Sequence, residues 1–242
     1  MQITLKNVSK QFGACWAVRD LTLSLAAGQI TAFLGPNGAG KTTTLKMLVG
    51  LLAPTEGAVY FGNQKFLEDP VKFKQRMAYV PDFPFLYERL TGREFLDFIA
   101  GMYEIPAAER EGRIGHFIER FALREVEQHL IQQYSHGMRQ RLVFCSALIR
   151  HPRVFVIDEP MVGLDPKTTR IFKDMLIDLA RQGVTVFLST HQLAVAEELA
   201  DQIAIIHKGK LLLCSSLRDL REQDGTFTSL ENFFLSRTED TL

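Results

Sequence analysis

The chain has 242 residues, enough for one large domain or for a domain carrying an inserted lobe. Its 28 basic and 28 acidic side chains cancel, so no general positive field favours nucleic acid, and no local basic run supplies one. Its 46% hydrophobic content supports a sizeable core, and Cys15, Cys145 and Cys214, odd in number and far apart, fit neither a disulfide framework nor a zinc site, which implies a reducing compartment.

Residues 1–10 contain no apolar run of the signal-peptide kind. Residues 3–8 and 21–25 alternate apolar and polar positions and read as strands of a half-exposed sheet. Residues 30–34 form a short apolar run ending at glycine, the pattern of a buried strand, and residues 41–51 follow as a helix. A turn is expected at 54–57 and a strand at 58–61. From 84 to 150 there is almost no strand signal. Thr91 and Glu94 have the spacing of a capping box, ahead of Phe95, Phe98, Ile99, Met102 and Tyr103 at helical spacing. Pro106 opens a second helix through Arg120, and a third is expected over 137–150. Residues 154–157, 184–188 and 203–206 then read as buried strands. Even the best of these apolar runs is far short of the roughly 18 residues a membrane-spanning helix needs. A helix capped by Asp165 and opened by Pro166 lies between the first two, with an apolar stripe at Ile171, Phe172, Met175, Leu176 and Leu179. Buried strands alternating with helices imply an α/β fold with a largely parallel, helix-covered sheet. The division expected is a catalytic core over 1–83 and 151–220, an inserted helical subdomain over 84–150, and a tail over 221–242 that is helical at 230–235.

Residues 35–42 read GPNGAGKT, after a predicted strand and at the start of a predicted helix. That is the context in which a glycine-rich loop cradles phosphate. Gly35, Gly38 and Gly40 let the backbone of Asn37 and Ala39 curl so that N–H groups face an anion, and the helix start adds its positive end. Lys41 is placed to reach β- and γ-phosphates, the Thr42 hydroxyl to bind Mg²⁺, and Thr43 to add a phosphate contact. Residues 154–159, VFVIDE, put two acids at the carboxyl end of a buried strand, where open α/β sheets hold ligands. Alternation along a strand would send Asp158 and Glu159 to opposite sides, one towards a metal and one towards an attacking water.

These two motifs come in order with YSHGMRQR at 134–141, GLD at 163–165 and His191. The ordered set resembles the ATP-binding subunits of ABC transporters over essentially the whole chain. Residues 40–47 (GKTTTLKM), 90–95 (LTGREF) and 229–235 (SLENFFL) look most like the ABC-2 exporter type. The resemblance implies a P-loop NTPase core, a RecA-like parallel sheet with an antiparallel β subdomain, and an inserted α-helical subdomain. It implies two ATP molecules at the interface of a homodimer or of a pair with another ATPase subunit. Each ATP would lie between the phosphate loop of one subunit and Ser135 and Gly137 of the other. Glu159 would be the catalytic base, with His191 and Lys41 contacting the γ-phosphate. Asp158 and Thr42 would hold Mg²⁺, Phe12 would stack on adenine, and Asp165 would pass information across the dimer. Ser135 also has a plain alternative as a helix cap, and Phe12 as an ordinary core or loop aromatic. His116, His129, His151 and His207 lack such context and read as structural or solvated.

Two residues depart from the family pattern. Asp82 stands where a glutamine normally touches Mg²⁺ and signals to the membrane partner; a carboxylate can ligate Mg²⁺ but adds negative charge beside phosphate. His136 stands where glycine is commoner, at a position that a backbone-permissive residue would suit. Phe83 and Phe85, beside Asp82, are candidate contacts for a polytopic membrane subunit, or else part of the lobe's packing. The expected protein is an ATPase at the cytoplasmic face of a membrane, driving solute export through that subunit, without nucleic acid. The alternative is a soluble ABC ATPase of the iron–sulfur assembly kind.

Overall fold

Two sheets separate the chain's half-exposed strands from its fully buried ones. In the computed structural model, residues 1–161, 163–223 and 229–239 are described. Strands β1 (Ile3–Phe12) and β2 (Cys15–Leu25) are longer than their apolar alternation suggests, because they form a continuous antiparallel hairpin. β4 (Glu56–Phe61) adds to the other side of β1 and β5 (Gln64–Lys65) completes an order β2-β1-β4-β5. Ile3, Leu5, Leu21, Leu23 and Leu25 point inward from this sheet.

The second sheet runs β10-β9-β3-β8-β7-β6. It comprises β3 (Ile30–Leu34), β6 (Met77–Val80), β7 (Val154–Asp158), β8 (Thr185–Thr190), β9 (Gln202–His207) and β10 (Lys210–Ser215). Its pairs are parallel except for the antiparallel edge β10–β9. Both faces are covered, which is why these strands read as continuous apolar runs. Phe33, Val154, Val156, Phe187 and Ile206 face helix α1 (Lys41–Leu48) and the smaller sheet. Ala32, Leu34, Phe155, Ile157 and Leu188 face the other side, with α6 (Pro166–Arg181) and α7 (Leu193–Leu199). The parallel register aligns Leu34 with Thr190 and Asp158 with Ser189. The ends of β3, β7 and β8 are thereby brought to one edge.

A short α2 (Pro70–Gln75) precedes β6. Between β6 and β7 the regular elements are α3 (Gly92–Met102), α4 (Ala107–Arg120), α5 (His136–Leu148) and a 3-10 turn. The Thr91–Glu94 capping box is formed in both directions, at 2.8 and 3.1 Å. The expected stripe on α3 divides: Phe95 is buried and Ile99 half-buried, whereas Phe98, Met102 and Tyr103 face solvent, and the buried face is completed by Leu96 and Ala100, which lie outside that stripe. These residues are apolar on two faces, so periodicity alone did not say which face packs. α5 is the joint to the core. Its Phe144 ring stacks on Phe172 of α6 at 4.1 Å, with Phe121 and Phe155 edge-on around them. Stacking of this kind adds about 0.5–1.5 kcal/mol beyond burial.

α8 (Leu217–Gln223) and α9 (Leu230–Glu239) follow β10. Leu230 and Phe233 anchor α9 beside α7, and the Leu230 N–H donates to Glu197 Oε1 at 2.7 Å. Within the tail expected over 221–242, residues 224–228 and 240–242 lie outside the described residues. Among the described residues no helix is long and apolar enough to cross a membrane.

Candidate functional site

The β3–α1 connection is tight because Gly35 and Gly40 have no room for a side chain, whereas Gly38 faces open space. A Cβ on Gly35 would stand 2.4 Å from the Ile206 carbonyl oxygen, and one on Gly40 2.5 Å from that of Ala17. Gly40 also has φ 108°, a conformation that side chains other than glycine's rarely adopt. Lys41, the first residue of α1, folds back over the loop and donates to the carbonyls of Gly35 (2.8 Å) and Pro36 (3.3 Å). Its Nζ is also 3.6 Å from Glu159 Oε1, and both side chains are nearly buried. The Thr42 hydroxyl donates to Asp158 Oδ2 at 2.7 Å.

Asp158 and Glu159 converge on the loop instead of parting to opposite sides. β7 ends at Asp158, and Glu159 turns out of the strand with φ 49°. That left-handed turn brings the second carboxylate alongside the first and costs of order 1–3 kcal/mol. Hydrogen bonds hold it in place. The Glu159 N–H donates to the Ser189 carbonyl (3.1 Å) and hydroxyl (3.3 Å), and Glu159 Oε2 lies 3.0 Å from His191 Nδ1 and accepts from the His191 N–H at 3.4 Å. The Ser189 hydroxyl donates to Asp158 Oδ1. Ser189 went unnoticed in the sequence. Its only signal there was its place two residues before His191.

A cavity of about 230 Å³ is lined by Asn37, Gly38, Gly40, Lys41, Thr42, Thr43, Asp82, Asp158 and Glu159, with Ala17 and Pro36. Ala39 belongs elsewhere: its side chain is in the core and its N–H donates to Pro36 at 3.2 Å. Oxygen donors from Thr42 and Asp158, side by side, suit a hard cation such as Mg²⁺. Among the described residues no three His, Cys, Asp or Glu side chains gather as a metal cluster.

Asp82 lines this cavity and also a larger hollow of about 580 Å³ formed by the segment 83–89 with His136, Arg139 and Gln140. Burial holds the Asp82 carboxyl above the usual carboxylate range. The Asp158 and Glu159 charges push the same way, and His191 opposes them. The Tyr79 hydroxyl is held protonated by burial first, then by Asp158 and Asp82.

The remaining candidates lie outside the phosphate cavity. Ser135 caps α5, its hydroxyl accepting from the Met138 N–H at 3.3 Å. Asp165 caps α6 through Thr168, and its Oδ2 would lie 3.7 Å from a Cβ on Gly137, so these residues form a second group. His136 has no positive φ. It is the first residue of α5, in helical geometry, with its ring against Gly163, so no backbone-permissive residue is required there. Phe12 sits at the end of β1, half exposed, with Lys10 Nζ 5.4 Å from its ring centre. Phe83 and Phe85 are 89% and 81% exposed; Phe85 touches the lobe edge-on, through Tyr87 at 5.5 Å, while their neighbour Leu86 is buried.

The family profile described as "ABC transporter" matches residues 18–162. An uncharacterized ABC transporter ATP-binding protein of Nostoc sp. is 36% identical over 87% of the chain, which spans 63% of that relative's length. The ABC-type transporter ATP-binding protein EcsA of Bacillus subtilis is 30% identical over 98% of the chain and 97% of its own length. Among solved structures, an ATP-binding subunit of an ABC transporter superposes with a TM-score of 0.91 at 32% identity, covering 98% of this chain and 99% of that one. A dimeric post-hydrolysis state of the ATP-binding cassette MJ0796 bound to ADP and Pi gives 0.81 at 28% identity, covering 89% and 99%.

The Asp82 environment makes a pH-dependent prediction. A carboxyl held above its unfolded pKa binds its proton more tightly when folded. Its ionised form therefore costs stability, increasingly as pH rises from the unfolded value through the folded one. Asp82→Asn should raise the melting temperature of the nucleotide-free protein at pH 7, and the gain should vanish below about pH 4, near the unfolded Asp value. Thermal melts across pH check this; a gain independent of pH, or a loss at pH 7, would contradict it.

Proposed function

Because the chain belongs to the ABC transporter family as one of its ATP-hydrolysing ATP-binding cassettes, we propose that it is the cytoplasmic ATPase subunit of an exporter, working as a dimer on a polytopic membrane subunit. The observation that carries the reading is the pair of contacts Thr42–Asp158 and Lys41–Glu159, two acids facing the phosphate loop with separate partners.

The chemistry follows from those partners. Lys41 now donates to the loop carbonyls and pairs with Glu159, and it would turn its donors to the β- and γ-phosphates when they enter. The loop N–H groups of Asn37, Gly38 and Gly40, with the N-terminus of α1, would hold the phosphate oxygens. Thr42 and Asp158 would hold Mg²⁺, with Asp82 as a further oxygen near it. When bound, that ion supplies positive charge against the phosphate oxygens. Glu159 would take the proton of an attacking water, and His191, on the second Glu159 oxygen, would orient base and γ-phosphate. Phe12 offers adenine a flat, half-exposed face.

The phosphate cavity is lined by no residue of α5. In our reading Ser135, Gly137 and the start of α5 close the cavity of a second subunit, either another copy or a paired ATPase, and Asp165 beside Gly137 links the two sites. The dimeric ADP and Pi state of the MJ0796 cassette supports a dimer. The helical segment 84–150 acts as the subdomain that carries α5 towards the partner. Phe83 and Phe85 project from the segment that begins at Asp82, which supports a role in docking short helices of the membrane subunit. The exporter assignment rests on the ABC-2 resemblance of residues 40–47, 90–95 and 229–235.

Glu159→Gln should lower steady-state phosphate release by about 10²–10⁴-fold while ATP affinity is kept, as for loss of a general base. An unchanged rate would remove Glu159 from that role. Phe83→Asp with Phe85→Asp should abolish co-purification of a polytopic membrane protein and leave ATP binding intact. Retained co-purification would place the docking surface elsewhere.

A further inference from the structure

We propose that Ser189 is a positioning residue that fixes both acids at once, setting which oxygen of Asp158 faces Thr42 and holding the turn that presents Glu159. The inference rests on the ATPase reading above and adds a residue to it.

The argument begins with register. β8 and β7 run parallel with Ser189 opposite Asp158, and both residues are essentially inaccessible to water. A carboxylate in that position has two oxygens to satisfy and no solvent to satisfy them. Thr42 takes Oδ2 at 2.7 Å, and the Ser189 hydroxyl takes Oδ1. With both oxygens held, the carboxylate plane cannot rotate, and Oδ2 stays on the side of the phosphate loop. A hydroxyl carries one donor and two acceptor sites, so Ser189 can serve a second group while donating to Asp158. It does so by accepting the Glu159 N–H at 3.3 Å, and its own carbonyl accepts the same N–H at 3.1 Å. This forked hydrogen bond falls on the residue with φ 49°, where the chain leaves the strand.

Its neighbour does not take this role. Successive strand side chains point to opposite sides, it is Ser189 that pairs with Asp158, and the Thr190 hydroxyl accepts from the Gln192 N–H at 3.0 Å at the turn into α7. His191, two residues on, reaches the Glu159 carboxylate. The end of β8 thus holds the first acid by its carboxylate, the second by its backbone, and the second again by its side chain. Alanine at 189 would leave a buried Asp158 oxygen without a donor and the Glu159 N–H with the carbonyl alone. Loss of an outer partner of a metal-holding group typically costs 10- to 100-fold in metal affinity or activity.

The test uses the full chain with a non-hydrolysable ATP analogue, with Mn²⁺ as the metal probe read by electron paramagnetic resonance. Ser189→Ala should weaken Mn²⁺ binding by about 10- to 100-fold, while analogue binding in EDTA stays as in the parent. Ser189→Thr, which keeps the hydroxyl, should retain Mn²⁺ affinity. Mn²⁺ affinity of Ser189→Ala within about twofold of the parent, well short of the outer-partner loss, would overturn the proposal. So would an equal fall in metal-free analogue binding, which would mark a general collapse of the site. A parent protein that binds no analogue under any condition would instead overturn the ATPase reading itself.

Discussion

Two adjacent carboxylates must be held beside a loop meant for phosphate, and most of the local structure answers that constraint. Asp158 and Glu159 repel each other and would repel any nucleotide. Each is therefore given partners from different elements: Thr42 and Ser189 for one, Lys41 and His191 for the other. Charge-assisted hydrogen bonds are roughly twice as strong as neutral ones, and the contacts from His191 and Ser189 hold Glu159 in its left-handed turn. The arrangement needs β3, β7 and β8 in parallel register, because only then do the phosphate loop, the two acids and Ser189 end at one edge. Once the acids are satisfied from within the chain, one side of the cavity remains without a wall. That is where a second subunit's α5 is proposed to enter.

Asp82 connects this chemistry to the surface. It shares the negative field of Asp158 and Glu159 and also lines the larger hollow bounded by Phe83, Phe85 and the start of α5. Arg139 of α5 reaches across to Glu88 at 2.6 Å, so the helix that carries Ser135 is tied to the same segment as the exposed aromatics. A change of charge at the phosphate cavity and a change of position at the aromatic surface thus share one short stretch of chain. His136 lines that hollow as well, which puts both departures from the family pattern around a single space.

The buried strands were legible because both faces of the larger sheet are covered and their residues are apolar without interruption. The phosphate loop was legible because its motif is contiguous in sequence, although the atoms that exclude a side chain at Gly35 and Gly40 come from distant Ile206 and Ala17. The caps at Thr91 and Asp165 were legible for the same local reason. What escaped was set by tertiary register. Ser189 matters only because it lies opposite Asp158. Glu159 joins Asp158 on one side only because the strand ends between them. The outward face of α3 was hidden because Phe98 and Met102 are as apolar as the residues they alternate with. Strand β10 gave no buried-run signal, since it is an antiparallel edge with alternating exposure.

The central claim is that each phosphate cavity is closed by α5 of another subunit. It is tested most directly by light scattering of the Glu159→Gln protein with saturating ATP and, separately, with ADP. ATP should shift the mass from that of the 27.4 kDa chain to a dimer, ADP should not, and Ser135→Arg in the same background should keep it monomeric. A protein that binds ATP to saturation and remains monomeric both alone and with a paired ATPase subunit, or a dimer indifferent to Ser135→Arg, would contradict the account.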